Sequence, residues 1–203
     1  MAIEDLKRRI DSLFEKIGED KFYKEKGLGN EIPFYIFDYD PGDEEYFRDQ
    51  IIFETNKFNE KENGKKVELI NLFDLIVEVL EEKNYIEKSF KKEEAKGKEI
   101  FLNGIRKTLR TSTDRYLIKD KIVERAGPNK VLFLYGLGTA WPIIRGSELL
   151  NNLSHVITKN PLVLFYPGRY DQKNLTLFNK IESEHYYRAF MIEPRTKGEL
   201  KWL

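Results

Sequence analysis

The run Val131-Leu132-Phe133-Leu134-Tyr135, which empties without a spacer into Gly136-Leu137-Gly138, constrains the fold of this chain more than any other segment. It leaves no polar position to face water, so it predicts a strand buried on both faces. Such strands belong to parallel sheets covered by helices on each side. Similar runs stand at Ile32–Phe37, Lys66–Ile70, Leu162–Tyr166 and Tyr186–Ile192. Five strands are the natural count.

Helical periodicity fills the intervals. Ile3, Leu6, Ile10, Leu13, Phe14 and Ile17 share one face, with charges opposite. A second helix over roughly 43–62 is buried through Phe47, Ile51 and Phe58, and Gly64 closes it. A third begins at Asn71, with Asp74 three residues on as a weak capping box. Residues 84–126 are rich in charge, with Lys88 to Glu99 the densest part, and read as a helical insertion that Gly127-Pro128 stops. A further helix around 146–156 carries Leu149, Leu150 and Leu153. Strands alternating with helices predict parallel pairing through right-handed crossovers. The expected fold is therefore one α/β domain over 1–203, a three-layer α/β/α sandwich that is degenerate P-loop-like or Rossmann-like.

Composition excludes several kinds of chemistry. The chain has no cysteine, which removes disulfides, thiolate metal sites and a cysteine nucleophile. It has two histidines, too few for a histidine-rich metal site. Thirty-five basic residues balance thirty-five acidic ones, so no global field steers the chain to nucleic acid or an anionic membrane. Absent net charge also favours association. No stretch approaches the roughly 20 apolar residues of a membrane span. The expectation is a cytoplasmic protein that touches DNA only indirectly and does not engage a membrane.

In open parallel sheets ligands bind beyond the carboxyl ends of the strands. Asp38–Asp43, Gly136–Pro142 and Pro167–Asp171 fall there. A phosphate-cradling loop needs several glycines and a Lys-Ser/Thr pair. The first segment offers only Gly42 in an acidic setting. Gly64-Lys65 and Gly97-Lys98 lack the hydroxyl that should follow, and Gly136-Leu137-Gly138 lacks a third glycine. Asp38 and Asp40 have the Asp-x-Asp spacing of haloacid-dehalogenase-like phosphatases, in which one carboxylate attacks phosphorus and the other moves the proton. The following Pro41-Gly42 does not fit that pattern, and no later strand supplies an acidic magnesium motif. Helix capping explains Asp38, Asp40 and Asp43 better. A nuclease built on Asp43, Glu54 and Glu68 lacks a Glu-x-Lys pair on a core strand. No Gly-x-Ser-x-Gly elbow is present for a serine hydrolase. The expectation is no catalytic residue, cofactor or metal.

A binding surface fits better. Arg145, Arg169, Tyr170, Asp171, Tyr187 and Arg188 lie on or near strand ends, and arginine and tyrosine are favoured at interface hot spots. Internal ion pairs with Asp171 or Glu148 are the alternative use of these arginines.

The segment from Val131 through Trp141-Pro142, Arg145 and Leu149-Leu150-Asn151-Asn152-Leu153 resembles the BrxB family. So do Tyr166-Pro167-Gly168-Arg169-Tyr170-Asp171, Leu177-Phe178 and Tyr186-Tyr187-Arg188-Ala189-Phe190, and the N-terminal Phe34–Pro41 segment is similar too. BrxB is the small component of bacteriophage-exclusion (BREX) phage-defence systems. The resemblance implies a role in defence that marks host DNA by methylation and blocks phage replication, without an assigned enzymatic activity. It also implies assembly with other BREX proteins: the alkaline-phosphatase-like PglZ foremost, with the BrxC ATPase and the PglX methyltransferase nearby. The expected function is a scaffold or adaptor. The rivals are a phosphotransfer enzyme or nucleotide sensor at Asp38/Asp40, and a DNA-binding accessory protein.

Overall fold

The structure, a computed structural model, describes residues 3–24, 34–61, 64–111, 115–183 and 189–195. Five parallel strands form its centre: β1 (Phe34–Tyr39), β2 (Lys66–Asn71), β3 (Lys130–Tyr135), β4 (Leu162–Tyr170) and β7 (Ala189–Met191). They lie in the order β2-β3-β4-β1-β7. The register runs Lys66 to Lys130 between β2 and β3, Leu132 to Leu162 between β3 and β4, and Phe34 to Leu162 and to Ala189 on the two sides of β1.

Strand periodicity sorts the core into two halves. Tyr35, Phe37, Tyr39, Phe133 and Phe165 face α1 (Ile3–Gly18), α2 (Asp20–Lys24) and α3 (Glu44–Glu60). This half is aromatic: Phe37, Phe47, Phe133 and Phe165 pack at ring-centroid separations of 5.0 to 6.3 Å. Ile36, Leu132, Leu134, Leu162 and Leu164 face the opposite layer, which is largely aliphatic. That layer holds α4 (Leu72–Glu82), α5 (Ile86–Leu109), α6 (Leu117–Arg125), α7 (Leu137–Ala140) and α8 (Gly146–Ser154). The three-layer α/β/α sandwich with a mainly parallel sheet of five strands is as the sequence predicts.

The charged 84–126 segment is helical as expected, while other elements differ from expectation. The charged 84–126 segment contains α5 and α6, and α5 bends at Gly97, whose φ of 80° and ψ of 170° are not helical. Ile105, Leu109, Ile118 and Ile122 bury in the core, so the segment closes one face of the sheet. Gly136-Leu137-Gly138 is more than a turn: Gly136 takes φ 75° and the four-residue α7 starts at once. The strand expected to stop at Tyr166 runs on to Tyr170. Its last residues leave the parallel sheet and pair antiparallel with β5 (Leu175–Leu177), which pairs in turn with β6 (Ile181–Ser183). Gly168 permits this change of partner. A Cβ there would stand 2.1 Å from the Thr176 carbonyl oxygen. Of the expected last strand, Tyr186–Arg188 lie outside the described residues, as do Ile32 and Pro33 before β1.

Candidate functional site

At the carboxyl ends of the strands, Asp38 sits inside the protein. It is buried on β1 between two guanidinium groups. Arg9 of α1, fully buried, donates from Nη2 to Asp38 Oδ1 at 3.2 Å and to the Asp38 carbonyl at 2.8 Å. Its Nε donates to the Glu193 carbonyl at 2.6 Å, and its guanidinium lies 4.4 Å from the Phe37 ring centre. Arg195 donates from Nε to the same Oδ1 at 3.2 Å and from Nη2 to the Gly168 carbonyl at 2.5 Å. The remaining oxygen, Oδ2, accepts the Tyr170 N–H at 3.2 Å. Burial pulls the Arg9 guanidinium below its ordinary pKa while Asp38 opposes that shift. Arginine keeps its charge in proteins, so the cluster is ionic.

This arrangement corrects the capping account of Asp38. Its carboxylate pins α1, β1, β4 and the segment after β7 together, and both oxygens are occupied. Asp40 does cap: its Oδ1 accepts the Gly42 N–H at 2.9 Å, opening a single 3-10 turn over Pro41–Asp43. Asp43 occupies the N-cap position of α3 without a side-chain cap bond. Among the described residues, no group of three or more His, Asp or Glu side chains is placed to hold a metal ion.

The described residues expected to form a binding face have different surroundings. Tyr170 is buried, and its hydroxyl donates to the Ala189 carbonyl at 2.7 Å. Asp171 shapes the turn after β4 by accepting the N–H groups of Lys173 and Asn174 at 2.9 and 2.6 Å. Those bonds, the Asn174 ones foremost, hold its carboxyl below the usual range. Arg169 is half-buried on β4 opposite Thr176. Tyr187 and Arg188 lie outside the described residues.

Of this set, Arg145 lines a cleft. It opens between α7, α8 and the β5–β6 hairpin and encloses about 560 Å³. Leu137, Ile144, Tyr166 and Leu177 give it apolar walls; Arg145, Glu148, Asn151 and Asn152 give it polar ones. Trp141 stands at its side, 39% exposed and edge-on to Phe178 at 6.3 Å. A half-exposed tryptophan beside an arginine is a common composition for a binding hot spot. Sequence reasoning missed Arg9, although an arginine on the Leu6–Ile10–Leu13 stripe signals a buried partner. The hairpin wall gave no such signal, because three-residue strands are too short to show periodicity.

Fold and site together define a parallel α/β domain whose rim carboxylate is tied internally and whose open concavity lies between α7, α8 and the β5–β6 hairpin. The family model described as "BREX protein BrxB" matches residues 68–192. A "BREX protein BrxB" of Bacillus cereus (strain H3081.97) is 40% identical over 187 residues, which is 92% of this chain and 97% of that protein. One from Escherichia coli O9:H4 (strain HS) is 33% identical over 193 residues, covering 94% and 93%. The chain belongs to the BrxB family and is thus a BREX system component, consistent with antiphage defence. No solved structure is a significant match. Among the described residues, no helix is long and apolar enough to cross a membrane.

Proposed function

We propose that this chain is a non-catalytic adaptor of its BREX system, holding a larger protein of the alkaline-phosphatase-like PglZ type through the Trp141–Arg145 cleft. The observation that carries the proposal is the contrast at the rim. Asp38, a carboxylate near the end of the central strand β1 where a phosphotransfer nucleophile would be, is bonded on both oxygens to Arg9, Arg195 and the Tyr170 N–H. The adjoining cleft instead leaves an aromatic ring and a guanidinium at the surface. Contact with DNA, and with the BrxC and PglX types of protein, then comes through the assembly.

Co-purification of the full chain with its PglZ-type neighbour tests this. Trp141→Ala and Arg145→Glu each lose about 2 kcal/mol or more of binding, roughly thirtyfold in affinity, with unchanged circular dichroism. Arg169→Glu asks whether the β4 face takes part. Capture at the parental level by the Trp141 and Arg145 variants rules out this cleft. Hydrolysis of a phosphate ester that disappears in Asp38→Asn, with folding intact, rules out the non-catalytic reading.

A further inference from the structure

Beside the docking cleft lies a second hollow with a different character. It spans the end of α5 and the start of α8 and encloses about 450 Å³. Among the described residues, Arg106, Lys107, Arg110 and Arg145 line it, against one carboxylate, Glu148. The chain as a whole is neutral, so the gathering of basic side chains seen here among the described residues is a local one. Arg106 is fixed by donating from Nη2 to the Pro142 carbonyl at 2.6 Å. Arg106 and Arg145 both act electrostatically on the Glu148 carboxyl, partly offsetting the burial that pushes its pKa up.

Two further features place hydrogen-bond donors at or beside this hollow. α8 begins here without a side-chain cap, and its first backbone pairing is Leu149 N–H to the Arg145 carbonyl at 2.9 Å. The N–H groups before Leu149 therefore have no acceptor within the helix, and the helix dipole adds positive potential. Thr111 also lines the hollow. It is 5% exposed, and its side chain has no partner among the described residues. Ser147, 9% exposed at the second position of α8, is likewise without a side-chain partner among the described residues and lines the adjoining cleft.

We infer that the hollow between α5 and α8 binds the phosphate group of a small ligand, a phosphomonoester or a pyrophosphate. Forked guanidiniums, an ammonium, a hydroxyl and a bare helix start supply donors in several directions. A tetrahedral dianion with three terminal oxygens uses such a set more fully than a planar carboxylate does. No acidic cluster for a metal accompanies it among the described residues, so the site is one of binding. This inference goes beyond the adaptor reading and does not depend on it: Lys107, Arg110 and Thr111 lie outside the docking cleft.

The test is isothermal titration of the full chain at low ionic strength with sodium pyrophosphate, AMP, adenosine, and a DNA 12-mer lacking terminal phosphates. Pyrophosphate and AMP bind and adenosine does not. Arg145→Ala and Lys107→Ala each weaken pyrophosphate binding about tenfold, the loss of one charge-assisted contact. Glu148→Gln, which removes the competing carboxylate, tightens it several-fold. Circular dichroism confirms that each variant is folded. The inference fails if neither phosphate probe binds at millimolar concentration, or if folded Arg145→Ala and Lys107→Ala bind as the parent does. It also fails if the 12-mer binds as tightly as pyrophosphate at equal phosphate concentration, since the hollow is then part of a nucleic-acid groove.

Discussion

Replacing Arg9 by Met tests the buried cluster at the rim directly. The substitution keeps an unbranched apolar stem against Phe37 and removes the charge. It strips a donor from the Glu193 carbonyl, another from the Asp38 carbonyl, and one of two guanidiniums from Asp38 Oδ1. Removing one partner of a buried ion pair costs about 3–5 kcal/mol. Arg195 stays bonded to Asp38, which argues for the lower end, about 3 kcal/mol. In a chain of 203 residues that corresponds to roughly 6–12 °C of melting temperature. Urea unfolding followed by circular dichroism measures it, with an unchanged m-value as the check that both states are comparable. The decisive comparison is the double variant Arg9→Met/Asp38→Leu. It removes the stranded charge along with its partner, so its cost falls at least about 2 kcal/mol short of the sum of the single variants. A loss under about 1 kcal/mol for Arg9→Met, or strict additivity of the pair, refutes the description of this cluster as the pin of the fold.

Three other outcomes follow from the geometry. Gly168→Ala forces a methyl group against the Thr176 carbonyl oxygen, 2.1 Å from an ideal Cβ; it costs about 3 kcal/mol or more in urea unfolding and disturbs the hairpin wall of the docking cleft. Asn71→Ala removes the side-chain oxygen that accepts Phe73 N–H at 2.9 Å at the start of α4; it costs about 1 kcal/mol, most of which Asn71→Asp restores, as thermal melts in parallel show. Burial raises the Glu148 pKa while Arg106 and Arg145 pull it down. A carboxyl raised in the folded state gives its stability below its unfolded pKa and loses it as pH rises through the folded one. Glu148→Gln is therefore neutral near pH 3 and gains on the parent towards pH 7, so melting temperatures across that range give the sign.

What the sequence discloses depends on how many residues carry one message. The strands around Ile36, Val131–Tyr135 and Leu162–Tyr166 were legible because each is a continuous apolar run. Helix α1 was legible because its apolar residues repeat every third or fourth position. Legibility ended where one residue acts through a distant one. Asp38 next to Asp40 looks like a surface pair in sequence, and only the arrival of Arg9 and Arg195 makes Asp38 an interior charge. Tyr170 and Asp171 had the right chemistry for a contact surface, but one hydroxyl is spent on Ala189 and one carboxylate on the turn at Lys173–Asn174. The basic hollow is assembled from residues 103–111 and 145–148, two segments with no sequence pattern in common.

The link from Arg9 to the Glu193 carbonyl joins positions 184 residues apart. A nascent chain leaves the ribosome from its N-terminal end, so α1 emerges early with a guanidinium whose last acceptor has not been made. Until residues 193 and 195 emerge, Arg9 can reach Asp38 but lacks its Glu193 acceptor, and Asp38 lacks Arg195. The interlock can therefore close only once residues 193 and 195 have been made, and a chain cut short before Glu193 lacks both the last acceptor of Arg9 and the second guanidinium on Asp38.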